Sequence, residues 1–296
     1  MKLWAISDLH VGHRPNREAL AALPSFEGDW LIIAGDVGET EAHLELTLAL
    51  LSERFARLIW VPGNHELWTV PPDGPDVARG EAKYRRLVDV CRRRGVLTPE
   101  DPYPLWTGEG GPKVIVPLFL LYDYSFRPDD VAEADAVAWA EESGVLCSDE
   151  QLLHPDPYPS IPAWCAARVA LAEQRLAELD PAARLVLVNH FPLDERLLAL
   201  RWIPRFSIWC GTRRTRDWHL RYPVDAVVYG HTHMRSTRVL EGVRFEEVSL
   251  GYPRDWSAEQ GVVGYLRRVL PVPAGAWSEP PAPPSLGGLR SWGWRS

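Results

Sequence analysis

Five short apolar runs in this chain are each followed within a few residues by side chains of metal-ligating type. Leu3 to Ile6 leads into Ser7-Asp8-Leu9-His10, Trp30 to Ala34 into Gly35-Asp36-Val37-Gly38-Glu39, and Leu58 to Val61 into Pro62-Gly63-Asn64-His65-Glu66. Further on, Leu185 to Val188 leads into His190, and Val224 to Tyr229 into Gly230-His231-Thr232-His233. Apolar runs of this length, bounded by turn residues, read as buried strands. The helical patterns between the first three imply parallel β-α-β units. Ligands of open α/β sheets gather outside the carboxyl ends of the strands. The pattern therefore delivers four imidazoles, two carboxylates and one amide to one edge, with His65 beside them.

The donor types restrict the chemistry. Nitrogen and oxygen donors without thiolate suit manganese, iron or zinc in a functional site rather than a Cys-type structural zinc. Seven donors are too many for one tetrahedral ion. They suit two ions sharing a bridging carboxylate, roughly 3.5–4 Å apart. The four cysteines, at 91, 147, 165 and 210, include no C-x-x-C pair, so reduced thiols in a cytoplasmic protein are expected. The glycines at 35, 63 and 230 are read as sharp turns beside the ions.

The remaining pattern is coarser. Helices are predicted over 16–23, 41–55 with Thr40 as cap, 80–94, 129–142 and 160–179 with Ser160 as cap. A buried strand is predicted over 114–122 and a hairpin over 238–248. The 296 residues fit one large α/β domain, taken as 1–270, followed by a Pro/Gly-rich tail, 271–296, expected to be flexible. The net charge of −8 argues against a broad nucleic-acid footprint. The longest apolar run, 114–122, contains Pro117 and falls far short of the ~20 residues that span a bilayer. Asp8 and His10 interrupt the N-terminal apolar stretch, so no signal peptide is read there.

Taken together, Asp8-x-His10, Gly35-Asp36-x-x-Glu39, Gly63-Asn64-His65-Glu66, His190 and Gly230-His231-x-His233 resemble the calcineurin-like metallophosphoesterases. The resemblance spans residues 1 to about 250 and implies a four-layer α/β/β/α sandwich. It also implies two ligand sets. One ion would take Asp8, His10, Asp36 and His233, and the other Asp36, Asn64, His190 and His231, with Asp36 as the bridge. His65 would not ligate but would face the leaving-group oxygen. Manganese or iron is expected, with zinc as a third candidate. Two such cations lower the pKa of water towards ~7 and neutralise the charge that builds on phosphoryl oxygens.

A narrower resemblance lies outside the metal motifs. Residues 60–68, 119–126, 207–212 and 242–249 look like the actinobacterial phosphopantetheinyl hydrolases. That group implies a holo acyl-carrier protein as substrate, with cleavage of the phosphodiester that joins 4′-phosphopantetheine to the carrier serine. Between His190 and His231, Arg201, Arg205, Arg213, Arg214, Arg216 and Arg221 interleave with Trp202, Trp209 and Trp218. This segment reads either as a basic cover offering arginines to a phosphate, or as an ordinary arginine-rich loop with core tryptophans. Tyr122-Asp123-Tyr124 reads equally as a pantetheine slot or as packing. Two rival functions stand beside the carrier-protein reading. One is a nuclease or cyclic-nucleotide phosphodiesterase, and the other is a non-catalytic scaffold.

Overall fold

The computed structural model describes residues 1–70 and 78–273. The expected flexible tail lies outside the described residues apart from its first three positions. In chain order the elements are β1 (Leu3–Ile6), α1 (Arg14–Ala21), β2 (Phe26–Ala34), α2 (Glu41–Ser52), β3 (Phe55–Val61), α3 (Asn64–Leu67), α4 (Gly80–Arg93), β4 (Leu105–Trp106) and β5 (Lys113–Pro117). There follow α5 (Ala136–Glu141), α6 (Asp149–Leu152), α7 (Ile161–Ala177), β6 (Leu185–Val188), α8 (Trp218–Arg221), β7 (Val224–Tyr229), β8 (Ser236–Leu240), β9 (Val243–Glu247) and β10 (Arg267–Leu270).

The strands form two sheets, ordered β10-β1-β2-β3 and β4-β5-β6-β7-β9-β8. Strands β1, β2 and β3 run parallel, as do β5, β6, β7 and β9, while β10, β4 and β8 pair antiparallel at the edges. Side chains alternate along a strand, so each sheet has two faces. Leu3, Ala5, Trp30, Ile32, Ala34, Ile59 and Val61 point inwards to meet Ile115, Val186, Val188, Ala226 and Val228 of the second sheet. Their neighbours Leu31, Ile33, Leu58, Trp60, Leu185, Leu187 and Val227 belong to another cluster with the apolar faces of α2, α4 and α7. This is the expected α/β/β/α sandwich. Ile32 is fully buried between the sheets, and truncating it to Ala should cost about 2–5 kcal/mol.

Both predicted caps form. Thr40 accepts from the His43 backbone N–H at 3.1 Å, and Ser160 from that of Ala163 at 3.2 Å. Three predictions need correction. Helix α2 stops at Ser52 because Phe55, apolar in either pattern, opens β3. The run 114–122 is a strand only to Pro117, which has no N–H to extend the ladder. Beyond it the chain stays buried, and Leu120 N–H is satisfied by the Asn189 side chain at 3.0 Å. Residues 129–142 yield only a 3-10 turn, Glu133–Asp135, and the short α5. Just two of the α5 side chains, Ala136 and Ala140, are buried, which leaves little to hold a longer helix.

Candidate metal centre

The parallel strands of both sheets end at one edge, and the donors follow them there. Asp8 and His10 leave β1, Asp36 leaves β2, Asn64 and His65 open α3 after β3, His190 follows β6, and His231 and His233 follow β7. The site therefore straddles the seam between the sheets. Hydrogen bonds stitch that seam, among them His190 Nδ1–H to the Ala34 carbonyl at 2.9 Å and His231 N–H to Asp8 Oδ2 at 3.1 Å.

Three overlapping groups have donor atoms within 4.8 Å of one another: Asp8, His10 and His233; His10, Asp36 and His65; Asp36, His190 and His231. His233 Nε2 lies 3.1 Å from Asp8 Oδ1 and 3.2 Å from His10 Nε2. His190 Nε2 lies 3.2 Å from Asn64 Oδ1 and 3.3 Å from Asp36 Oδ2. All seven predicted donors and His65 are brought together. Five of the seven, Asp8, His10, Asp36, His231 and His233, have left-handed backbones with φ between 41° and 72°. Each such conformation costs on the order of 1–3 kcal/mol.

These residues fit bound cations. Two imidazole nitrogens 3.2 Å apart repel unless a proton or a cation lies between them. His231 Nε2 is buried with no hydrogen-bond partner. Burial, with the charge of His190 behind it, pushes His231 down to about 3, so its lone pair stays free. Burial likewise lowers His10 to about 4. For His190 burial opposes the charge, but Asp36 outweighs it and lifts the ring to about 10. Burial opposes the charge on His233 too, and Asp8 lifts it to about 9. The outer nitrogens are held. His190 Nδ1 donates to the Ala34 carbonyl at 2.9 Å, and His233 Nδ1 to Asp255 Oδ2 at 3.2 Å. Such contacts fix which nitrogen faces a metal.

His65 shares a donor group with His10 and Asp36. Its Nδ1 is 3.5 Å from Glu39 Oε1 and its Nε2 is 3.8 Å from Asp36 Oδ2. Burial disfavours its charge, yet Asp36 and Glu39 outweigh burial and raise its proton affinity above the ordinary histidine value. Trp68 lies against it, ring centres 3.7 Å apart.

The glycines act differently from the sequence reading. Only Gly35 takes a left-handed turn, with φ +87°. Gly63 has φ −99° and Gly230 also lies outside that region. Their role is close approach: a Cβ would sit 2.1 Å from Asp36 Oδ1 at Gly63 and 2.3 Å from Asp8 Oδ2 at Gly230.

Sequence reasoning assigned no role to four carboxylates that matter here. Glu66 accepts from the N–H groups of Asp36, Val37 and Gly63 at 2.9–3.0 Å and so binds the β2 and β3 turns together. Burial and the neighbouring Asp36 push it up to about 7. It stood in the quoted Gly63-Asn64-His65-Glu66 motif, and its place three residues after Gly63 is a capping-box position. Glu39 stood in the quoted motif, whereas Asp149 and Asp255 carried no sequence signal.

A cleft of about 450 Å³ opens over the donors, walled by Trp68, Leu146, Ile203, Phe206, Met234 and Tyr252, with Arg254 at the rim. Among the described residues lining it, none of the six arginines of 201–221 appears. Arg213 pairs with Glu195 and Asp129, Arg214 with Asp123, Arg205 with Glu142, and Arg221 with Glu173. The loop reading of that segment holds, with Trp209 and Trp218 fully buried and Trp202 exposed. Tyr122 is buried, and with Tyr124 it lines a separate cavity beyond Asp149.

A family model described as calcineurin-like phosphoesterase matches residues 1–235. The chain belongs to this family. It is 52% identical over 273 residues to the [acyl-carrier-protein] phosphodiesterase PptH of Mycobacterium tuberculosis, covering 92% of this chain and 84% of that protein. The crystal structure of phosphopantetheinyl hydrolase (PptH) from Mycobacterium tuberculosis matches with a TM-score of 0.87 at 51% identity. That match covers 92% of this chain and 96% of the solved one. No helix among the described residues is long and apolar enough to cross a membrane.

Proposed function

We propose that this phosphoesterase hydrolyses the phosphodiester between 4′-phosphopantetheine and the serine of a holo acyl-carrier protein, leaving apo-carrier. The observation that carries this reading is the 52% identity over 92% of the chain with an acyl-carrier-protein phosphodiesterase. The cleft supports it: apolar walls suit the pantetheine arm, and the donor cluster at the floor suits the phosphate. Four free cysteines accord with a cytoplasmic location.

Asp8, His10, Asp36 and His233 would hold one ion, and Asp36, Asn64, His190 and His231 the other. Manganese or iron is the expected occupant, with zinc third. When bound, the ions supply positive charge that acidifies water and offsets negative charge on the phosphoryl group. The protein orients that charge through Asp36, which faces both donor groups, and through the outer contacts of His190 and His233. His65, steadied at Nδ1 by Glu39, keeps Nε2 towards the centre. As imidazolium, His65 would pass a proton to the departing serine alkoxide. The walls of Trp68 and Phe206 exclude water from the arm.

Intact-mass spectrometry tests the reading. Incubation with Mn²⁺ should shift holo-carrier to apo-carrier and release 4′-phosphopantetheine. Rapid cleavage of single-stranded DNA or cyclic AMP with the carrier left holo would favour the rival phosphodiesterase.

A further inference from the structure

An asparagine offers a metal only one of its two terminal atoms, the carbonyl oxygen. The amide nitrogen has the same shape and no free lone pair, so a half-turn of the side chain spoils the ligand. Something must hold the nitrogen away. In this protein Asn64 Oδ1 faces His190 Nε2, and Nδ2 donates to Asp149 Oδ1 at 2.9 Å. Asp149 comes from α6, in the irregular segment between β5 and β6, and is 1% exposed. An ionised carboxylate only accepts, so the flipped asparagine would set oxygen against oxygen.

The same oxygen takes a second bond, from the Trp68 indole Nε1 at 2.7 Å. Trp68 is the ring lying against His65. Its neighbourhood is tied to α6 on both sides, by the Trp68–Leu153 bridge and by Thr69 N–H to the Leu152 carbonyl at 2.8 Å.

We infer that Asp149 is a positioning residue for the metal centre: its Oδ1 fixes the ligating face of Asn64 and at the same time seats Trp68 against His65. The inference rests on the reading of Asn64 as a ligand. It gives a role to a segment far from the metal motifs in sequence, and it predicts a coupling that a packing role would not produce.

In Asp149→Asn, the new amide could turn either way. The Trp68 N–H, a pure donor, requires the amide oxygen to face it, and that oxygen then still receives Asn64. In Trp68→Phe, the carboxylate still accepts from Asn64 whichever oxygen is used. Only the double variant loses the reference, since its amide is free to present N–H to Asn64 and turn the ligand over.

The test is calorimetry of Mn²⁺ binding to metal-free protein, with each variant's unfolding followed alongside. Wild type should take two ions. Asp149→Asn and Trp68→Phe should each keep the affinity for the ion assigned to Asn64 within about twofold of wild type. The double variant, and Asp149→Leu, should lose about 10- to 100-fold in that affinity, the usual range for a contact behind a ligand. Asn64→Ala should lose it as well. If Asn64→Ala binds both ions normally, the ligand reading fails. If Asn64→Ala weakens the ion but the double variant shows only the product of the two single effects, the role of Asp149 is overturned. Should Asp149→Leu fail to fold, the single and double variants decide alone.

Discussion

His190 Nε2 and Asp36 Oδ2 face each other 3.3 Å apart, the imidazole from one sheet and the carboxylate from the other. Asp36 also belongs to the group formed with His10 and His65, so it touches both halves of the donor cluster. In the proposed ligand sets it would be the bridge. Asp36→Ala should abolish turnover and lower bound metal well below two ions per chain. Two ions retained by the variant in elemental analysis would rule out the bridge.

His65 should be separable from metal binding. His65→Ala should keep its ions, while turnover of a diester with an alkyl leaving group falls by ~10²–10⁴, the range for a lost general acid. An aryl leaving group, stable as an anion, should lose much less. Equal losses on both substrates would remove His65 from the leaving oxygen.

In the metal-free protein His190 and His233 titrate at about 10 and about 9, so both carry protons at pH 7. An ion can bind only as those protons leave. Affinity should therefore rise with pH up to about 10, and loading at pH 7 should release at least ~2 protons. Calorimetry in two buffers of different ionisation enthalpy counts them. The sign for stability is the reverse. These raised values stabilise the metal-free fold fully below pH 6.5, and the contribution fades as pH climbs through about 9 and about 10.

Two glycines should respond in opposite ways to the same change. A Cβ at Gly63 would lie 2.1 Å from Asp36 Oδ1, so Gly63→Ala should eliminate metal binding and activity. Gly242, in the β8–β9 hairpin at φ +83°, has nothing within 4 Å of its added Cβ. Gly242→Ala should cost only the left-handed backbone penalty, about 1–2 kcal/mol, with activity intact. Thermal unfolding and a metal assay on both proteins check the contrast.

Trp202 is 93% exposed beside Ile203 at the cleft, and Leu146, on the same rim, is 73% exposed. An exposed aromatic next to a functional cleft is a natural anchor for a protein substrate. Trp202→Ala should raise KM for holo-carrier several-fold while leaving a small aryl diester unaffected. Arg213→Glu should behave otherwise. It breaks pairs with Glu195 and Asp129, so it should lower the melting temperature rather than discriminate between substrates.

The donors were readable because each is a short-range signal, a polar residue two to four places past an apolar run. Thr40 and Ser160 were readable for the same local reason. What the run of letters did not carry was assignment to a sheet. Leu58 to Val61 and Leu185 to Val188 look alike, and only three-dimensional pairing divides them. Strand β10, Arg267 to Leu270, shows two arginines and two apolar residues, too weak a pattern to stand out. Asp149 stands beside Glu150 at the start of a one-turn helix, with no apolar run of strand length before it to mark a strand end. Its meaning comes from Asn64, 85 residues away, and no local pattern encodes that distance.

The seam has a consequence for how the protein is made. Asp8 and His233 meet at 3.1 Å but are 225 residues apart in the chain. A ribosome adding ~5–20 residues per second needs roughly 10–45 s to deliver the second after the first. During that interval Asp8, His10, Asp36 and Asn64 exist as half a cage, open to whichever cation the cell offers. The cage closes only after the last histidine has emerged and the second sheet has docked against the first.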